Sequence, residues 1–140
     1  GIHGGKTYAR THRREFYRHS LGSESDLGSG RIYQFRSRVL PEAETAVEEF
    51  AELLEPLDIP WVRDRPAGGG ADLGQMRKLG MPVIDLNHDA TQYFDLHHTR
   101  NDVLENVDPA DIRFNVAAYV TLIYWAAQAD VAFGPVDPSE

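Results

Sequence analysis

At 140 residues, 41% of them hydrophobic and 26% charged, the chain amounts to one domain of ordinary globular composition, long enough to bury a core. A net charge of −8, from 14 basic and 22 acidic residues, excludes nucleic acid as a partner because phosphate binding needs a cationic face, and no apolar run approaches the roughly 20 residues of a membrane helix. With no cysteine, disulfides, thiolate metal sites and cysteine nucleophiles are excluded together, so any metal has to rest on His, Asp and Glu.

The spacing of Tyr8, His12 and Phe16 predicts a helix from about Lys6 to Arg18, with Arg10, Arg13, Arg14 and Arg18 on its other sides. These arginines read as a solvated face that offsets the chain's acidity, and His12 and His19 as surface or packing histidines. His19 to Ser25 is poor in helix formers and ends in the glycine-rich run Gly28 to Gly30, which predicts a strand closing into a loop. Asp26 then stands at the carboxyl end of a strand, the edge where open α/β sheets bind ligands; the alternative is a plain turn residue before Gly28. Arg31 to Val39 predicts a second strand. Pro41 opens a helix with Ala43, Ala46, Val47, Phe50, Leu53 and Leu54 as its buried stripe, an acidic outer face, and Pro56 as its stop.

Gly68-Gly69-Gly70 leads into a short helix with Asp72 as N-cap, Leu73, Met76 and Leu79 on its apolar side and Gly80 as its end. Consecutive glycines let backbone amides approach a bound group, but the lysine and hydroxyl of a phosphate loop are missing, which excludes nucleotide binding. Pro82 to Leu86 predicts a buried strand, with His88 structural or solvated. It delivers Tyr93-Phe94-Asp95-Leu96-His97-His98-Thr99, with Asp102 behind. Two adjacent imidazoles among carboxylates are costly to assemble unless a cation uses them, and a metal is the simplest one; a solvated loop pair is the alternative. Asp108, Pro109 and Asp111 start a last helix running to about Ala129, with Ile112, Val116, Tyr119, Val120, Ile123 and Ala127 predicted to face the core. Tyr124 and Trp125 widen its apolar band toward a second contact surface, which makes a homodimer a partner to test. The element order predicts a three-layer α/β/α fold around a mixed, mainly parallel sheet over residues 1–130, with 131–140 as a loose tail.

Taken together, Tyr93 to Thr99 with Asp102 and Val107-Asp108-Pro109, preceded by Glu24-Ser25-Asp26, Gly68 to Asp72 and Gly80-Met81-Pro82, resemble the C-terminal half of a co-catalytic zinc exopeptidase. The likeness is to the plasma glutamate carboxypeptidase type, within the family that also holds bacterial di-zinc aminopeptidases, and it runs from about Gly1 to about Ala129. It implies a partial zinc-peptidase domain acting on a peptide or dipeptide, with two zinc ions in the complete enzyme and a secreted or periplasmic setting. By the same resemblance Asp26 and His98 are metal ligands, and His97 contacts the oxyanion or substrate carbonyl. Asp102 fixes the tautomer of His98, Glu24 stands beside Asp26, and Gly69, Gly70, Asp72 and Tyr93 border the substrate. Val103 stands where relatives usually have Thr, and Glu105 replaces a common Asp. The His-x-Asp and paired-glutamate motifs that provide the remaining ligands, the bridging carboxylate and the general base lie upstream of Gly1 in relatives, so this chain alone is expected to be inactive. Two other readings stand beside this one: a zinc acyl transferase like glutaminyl cyclase, for which a Trp would be expected where His97 stands, and a non-catalytic interaction module.

Overall fold

Strands β1 (Ile32–Arg38) and β2 (Val83–His88) pair antiparallel at the centre of the fold, with Ile32 opposite His88 and Arg38 opposite Val83. The description rests on a computed structural model and covers residues 2–138. A bulge between Ile32 and Gln34 lets Ile32 and Phe35, three positions apart, both enter the same buried cluster, while Tyr33 stays half exposed. The expected mixed, mainly parallel sheet is present only in outline. The regular sheet has two antiparallel strands, and its parallel neighbours are single-residue bridges, Gly22 to Val83 on one side and Trp61 to Phe35 on the other. Each bridge closes both hydrogen bonds of a parallel pair: Gly22 N to Pro82 O and Ile84 N to Gly22 O, both 3.0 Å, then Phe35 N to Pro60 O at 3.0 Å and Val62 N to Phe35 O at 2.9 Å. The strand predicted over His19 to Ser25 is therefore one bridge residue in an extended segment.

Successive residues of β2 point to opposite faces, and the two apolar clusters follow that alternation. Ile84 and Leu86 join Phe35, Val47, Phe50, Leu54, Leu122, Trp125 and others under α2 (Glu44–Leu54) and α5 (Pro109–Gln128). Val83 joins Ala9, Leu73, Met76 and Met81 under α1 (His3–His12) and α3 (Leu73–Arg77). The predicted first helix is shorter in α form than expected, giving way at Arg13–Arg18 to a 3₁₀ segment. There His12 accompanies Glu15 at 2.9 Å and His19 accompanies the Tyr8 hydroxyl at 2.9 Å, as packing histidines do.

Helix α5 starts as its sequence dictates, with Pro109 at the first position and Asp108 Oδ1 accepting the Ala110 amide at 2.7 Å. Its face is the main correction to the sequence reading. The buried stripe is Asn115, Ala118, Leu122 and Trp125, whereas Ile112, Val116, Val120 and Ile123 are 39–65% exposed. Asn115 is the physical cause: its Oδ1 accepts from Ile32 N at 2.9 Å and its Nδ2 donates to Gly30 O at 3.0 Å, so a polar residue fixes the inward direction. Trp125 then stacks on Phe50 of α2, with ring centroids 4.6 Å apart. Leu53 of the predicted α2 stripe is likewise exposed. The segment expected to be a loose tail is tied down as far as Val136: Phe133 and Val136 are buried, Leu40 N donates to Phe133 O, and Val136 N donates to Gly80 O. Gly1, Ser139 and Glu140, included in the expected domain and tail, lie outside the described residues.

Candidate active site

The glycine-rich loop does bring its amides up to bound anionic groups, and those groups are the chain's own side chains. The Asp85 carboxylate, on β2, accepts from Gly68 N at 2.6 Å and Gly69 N at 3.0 Å. The Glu24 carboxylate accepts from the amides of Ala71 at 3.0 Å, Asp72 at 3.1 Å and Leu73 at 2.7 Å. Asp72 occupies the N-cap position of α3, yet its side chain makes no capping bond; Glu24, from a segment far away in sequence, instead holds the amides that lead into the helix and its first one, Leu73 N. Gly70 is required here: its φ is +66°, and a Cβ would lie 2.6 Å from the Glu24 carboxyl group. Asp85 is a site-forming residue that pattern reading passed over, although a lone acid inside the apolar run Val83 to Leu86 was the available signal.

Two residues beyond Glu24, Asp26 is exposed, and the chain turns at Gly28, with φ +81°, against the ring of Tyr93. Tyr93 opens the short helix α4 (Tyr93–Leu96) that carries the histidine pair. The His97 ring lies between its neighbours, 4.5 Å from Tyr93 and 3.7 Å from His98, nearly parallel to both. His97 is half-buried, and His98 is exposed with a left-handed backbone, φ +58°. A non-glycine residue held in that region is strained, a condition that recurs at functional sites. The two loops meet across a cleft of about 550 Å³ lined by Leu27 to Arg31 on one side and Tyr93, His97, Asp102 and Asp108 on the other. Arg31 is the one cation in this lining, against Asp89, Asp102, Asp108 and Asp111. The Asp89 carboxyl is held below its ordinary range by the Thr91 amide.

The structure thus brings together the loop after Asp26, Tyr93, His97 and Asp102, while Asp26 and His98 flank the cleft rather than line it. Asp102 makes no side-chain hydrogen bond to His98 among the described residues; its backbone amide donates to Thr99 O at 3.3 Å. Behind the cleft lies a polar cluster that sequence reading did not identify. His88 is buried, with Nε2 3.4 Å from Ser25 Oγ, and burial depresses its pKa below the usual histidine value. Tyr119 donates from its hydroxyl to Glu24 O at 3.2 Å, and burial raises its phenol pKa.

No family model matches the chain. Carboxypeptidase Q of Bos taurus is 28% identical over 127 residues, covering 91% of this chain and 26% of that protein, and carboxypeptidase Q of Xenopus laevis is 26% identical over the same length. The chain spans about a quarter of the length of these curated relatives. The crystal structure of a peptidase M28 precursor from Shewanella amazonensis superposes with a TM-score of 0.91 at 38% identity, over 99% of this chain and 31% of that one. On sequence the chain is similar to one part of carboxypeptidase Q, and on sequence and fold together it is similar to one part of a peptidase M28 precursor.

Proposed function

We propose that this chain contributes part of the active site of a zinc-dependent exopeptidase, with Asp26 and His98 each donating to one of two zinc ions. The observation that carries the reading is the 38% identity to a peptidase M28 fold over nearly the whole chain, combined with an exposed histidine held in a strained conformation on the loop whose Tyr93 meets Gly28. The names of the curated relatives favour release of a carboxyl-terminal residue.

A carboxylate and an imidazole are suitable zinc donors, but a catalytic zinc takes three protein ligands and a water. No group of three or more His, Cys, Asp or Glu able to hold a metal ion occurs among the described residues. The donor set of this chain therefore fits a share of each ion's shell, with the remaining ligands coming from the rest of the peptidase fold. Zinc, when bound, would polarise the scissile carbonyl and acidify a water. This chain's own contribution is geometric. Tyr93 supports the His97 ring in the cleft wall, and Glu24 clamps the glycine-rich loop, whose residues lie outside the lining of that cleft. Gly69, Gly70, Asp72 and Tyr93 border the substrate in this reading, and His97 faces its carbonyl.

The test is a chimera in which the 140 residues replace the matching part of the Shewanella amazonensis peptidase. Elemental analysis should find zinc, peptides should lose terminal residues, and His98→Ala and Asp26→Ala should each abolish the activity and lower the zinc content. A folded chimera without zinc overturns the reading.

A further inference from the structure

Arg31 lines the cleft between the two loops together with Asp89, Asp102, Asp108 and Asp111. Among the described residues its guanidinium nevertheless forms no ion pair and no hydrogen bond. Two of the four carboxylates are taken up by backbone amides: Asp89 Oδ1 accepts from Thr91 N at 2.9 Å, and Asp108 Oδ1 accepts from Ala110 N at 2.7 Å. What the guanidinium does touch is a ring. Its central carbon lies 3.7 Å from the centroid of Phe114, on α5. Such stacking holds a guanidinium by its face and leaves its N–H edge open.

The backbone beneath it is fixed from several directions. Arg31 O accepts from Asp89 N at 2.8 Å, and the Asn115 side chain bonds to both neighbours, Gly30 O and Ile32 N. Gly30 packs so closely on the Asp89 carbonyl that a Cβ there would collide with it. The side chain thus rises from a rigid base, which lowers the ordering cost of binding. A planar fork with its face held and its edge open is suited to taking a carboxylate in two parallel hydrogen bonds.

We infer that Arg31 takes the free carboxylate at the end of the peptide substrate. The inference rests on the reading of the cleft as an exopeptidase site and adds the group that makes it require a free carboxyl terminus. For release of the last residue, the scissile carbonyl and the terminal carboxylate stand one residue apart, about 3.3–3.6 Å along an extended chain, so one cleft has to hold both. His97, assigned to the carbonyl, and Arg31 line the same cleft of about 550 Å³. The four aspartates repel an anion placed elsewhere in it. They therefore restrict the carboxylate to Arg31 and set the direction in which the peptide lies.

The test is an NMR titration of the metal-free 140-residue chain with N-acetyl-Ala-Ala, with its C-terminal amide, and with N-acetylglutamic acid α-amide, which offers a side-chain carboxylate only. The free acid should shift the Arg31 Nε–H resonance and the amides of residues 28–31, and bind about fivefold or more tighter than either amide. Arg31→Gln should remove that preference, Arg31→Lys should restore part of it, and Phe114→Leu, which frees the guanidinium, should weaken it about two- to fivefold. Acid and amide binding alike, a glutamate side chain binding as well as the terminal carboxylate, or an unchanged preference in Arg31→Gln overturns the inference. In the chimera, Arg31→Gln should raise KM for peptides with a free carboxyl terminus and leave kcat nearly unchanged. A chimera without zinc beside a chain that binds the free acid through Arg31 removes the exopeptidase reading and leaves the carboxylate site in place. A zinc-loaded chimera that cleaves acid and amide peptides equally well does the reverse.

Discussion

The Glu24 carboxylate accepts a hydrogen bond of 2.7 Å from the Leu73 amide, 49 positions away in sequence. With the amides of Ala71 and Asp72 on the same group, it ties the segment leading to Asp26 to the start of α3. Removing it leaves three orphan amides, so Glu24→Ala should lower the unfolding free energy by about 1–3 kcal/mol in urea titrations, and Glu24→Gln by less. Faster hydrogen exchange at residues 71–73 should accompany the loss. Unchanged exchange there would show that the clamp is not formed in solution.

Asn115 makes a counter-intuitive prediction. It lies on the buried face of α5, where Leu would look like an improvement by hydrophobicity alone. Asn115→Leu nevertheless removes the partners of Ile32 N and Gly30 O, and should destabilise the chain by about 2 kcal/mol or more. The control is Val116→Ser on the exposed face, which should change stability by less than about 0.5 kcal/mol in the isolated chain. The reverse order of effects would restore the helix phase that the aliphatic spacing suggests.

That phase shows where the sequence was legible and where it was not. The limits of β1, β2, α2 and α5 follow from alternation, proline and capping signals, and the caps at Asp108 and Pro109 formed as their chemistry requires. The face of α5 was misread because aliphatic spacing reports an apolar stripe without saying whether it meets this chain or something outside it. One buried amide outweighed four aliphatic side chains. In the same way, the meeting of the Asp26 loop with Tyr93 was implied only by the resemblance, since no spacing rule connects positions so far apart. The role of Glu24 as a clamp on loop amides was invisible for the same reason, whereas Asp85 left a signal as the lone acid in the apolar run Val83 to Leu86.

His98 offers a test of strain at the candidate metal position. Its φ of +58° penalises any side chain, and the ring recovers part of that through contact with His97. Replacement by Ala removes the contact and keeps the penalty, whereas Gly removes both. His98→Gly should therefore be more stable than His98→Ala by about 1 kcal/mol in thermal or urea unfolding. Equal stability would mean that the left-handed conformation is not retained in solution.

His88 should make stability depend on pH. Burial favours its neutral form, so its pKa in the folded chain lies below the ordinary value near 6.5. Between those two values the unfolded chain binds more protons than the folded one, and the unfolding free energy then rises with pH. The contribution is complete above about pH 6.5 and is lost as pH falls through the window toward the folded value. Urea titrations from pH 5 to pH 8 should show a steeper fall on the acid side for the native chain than for His88→Gln, which keeps a polar group near Ser25 Oγ without titrating. Parallel curves for the two proteins would place the acid sensitivity elsewhere, among the carboxylates.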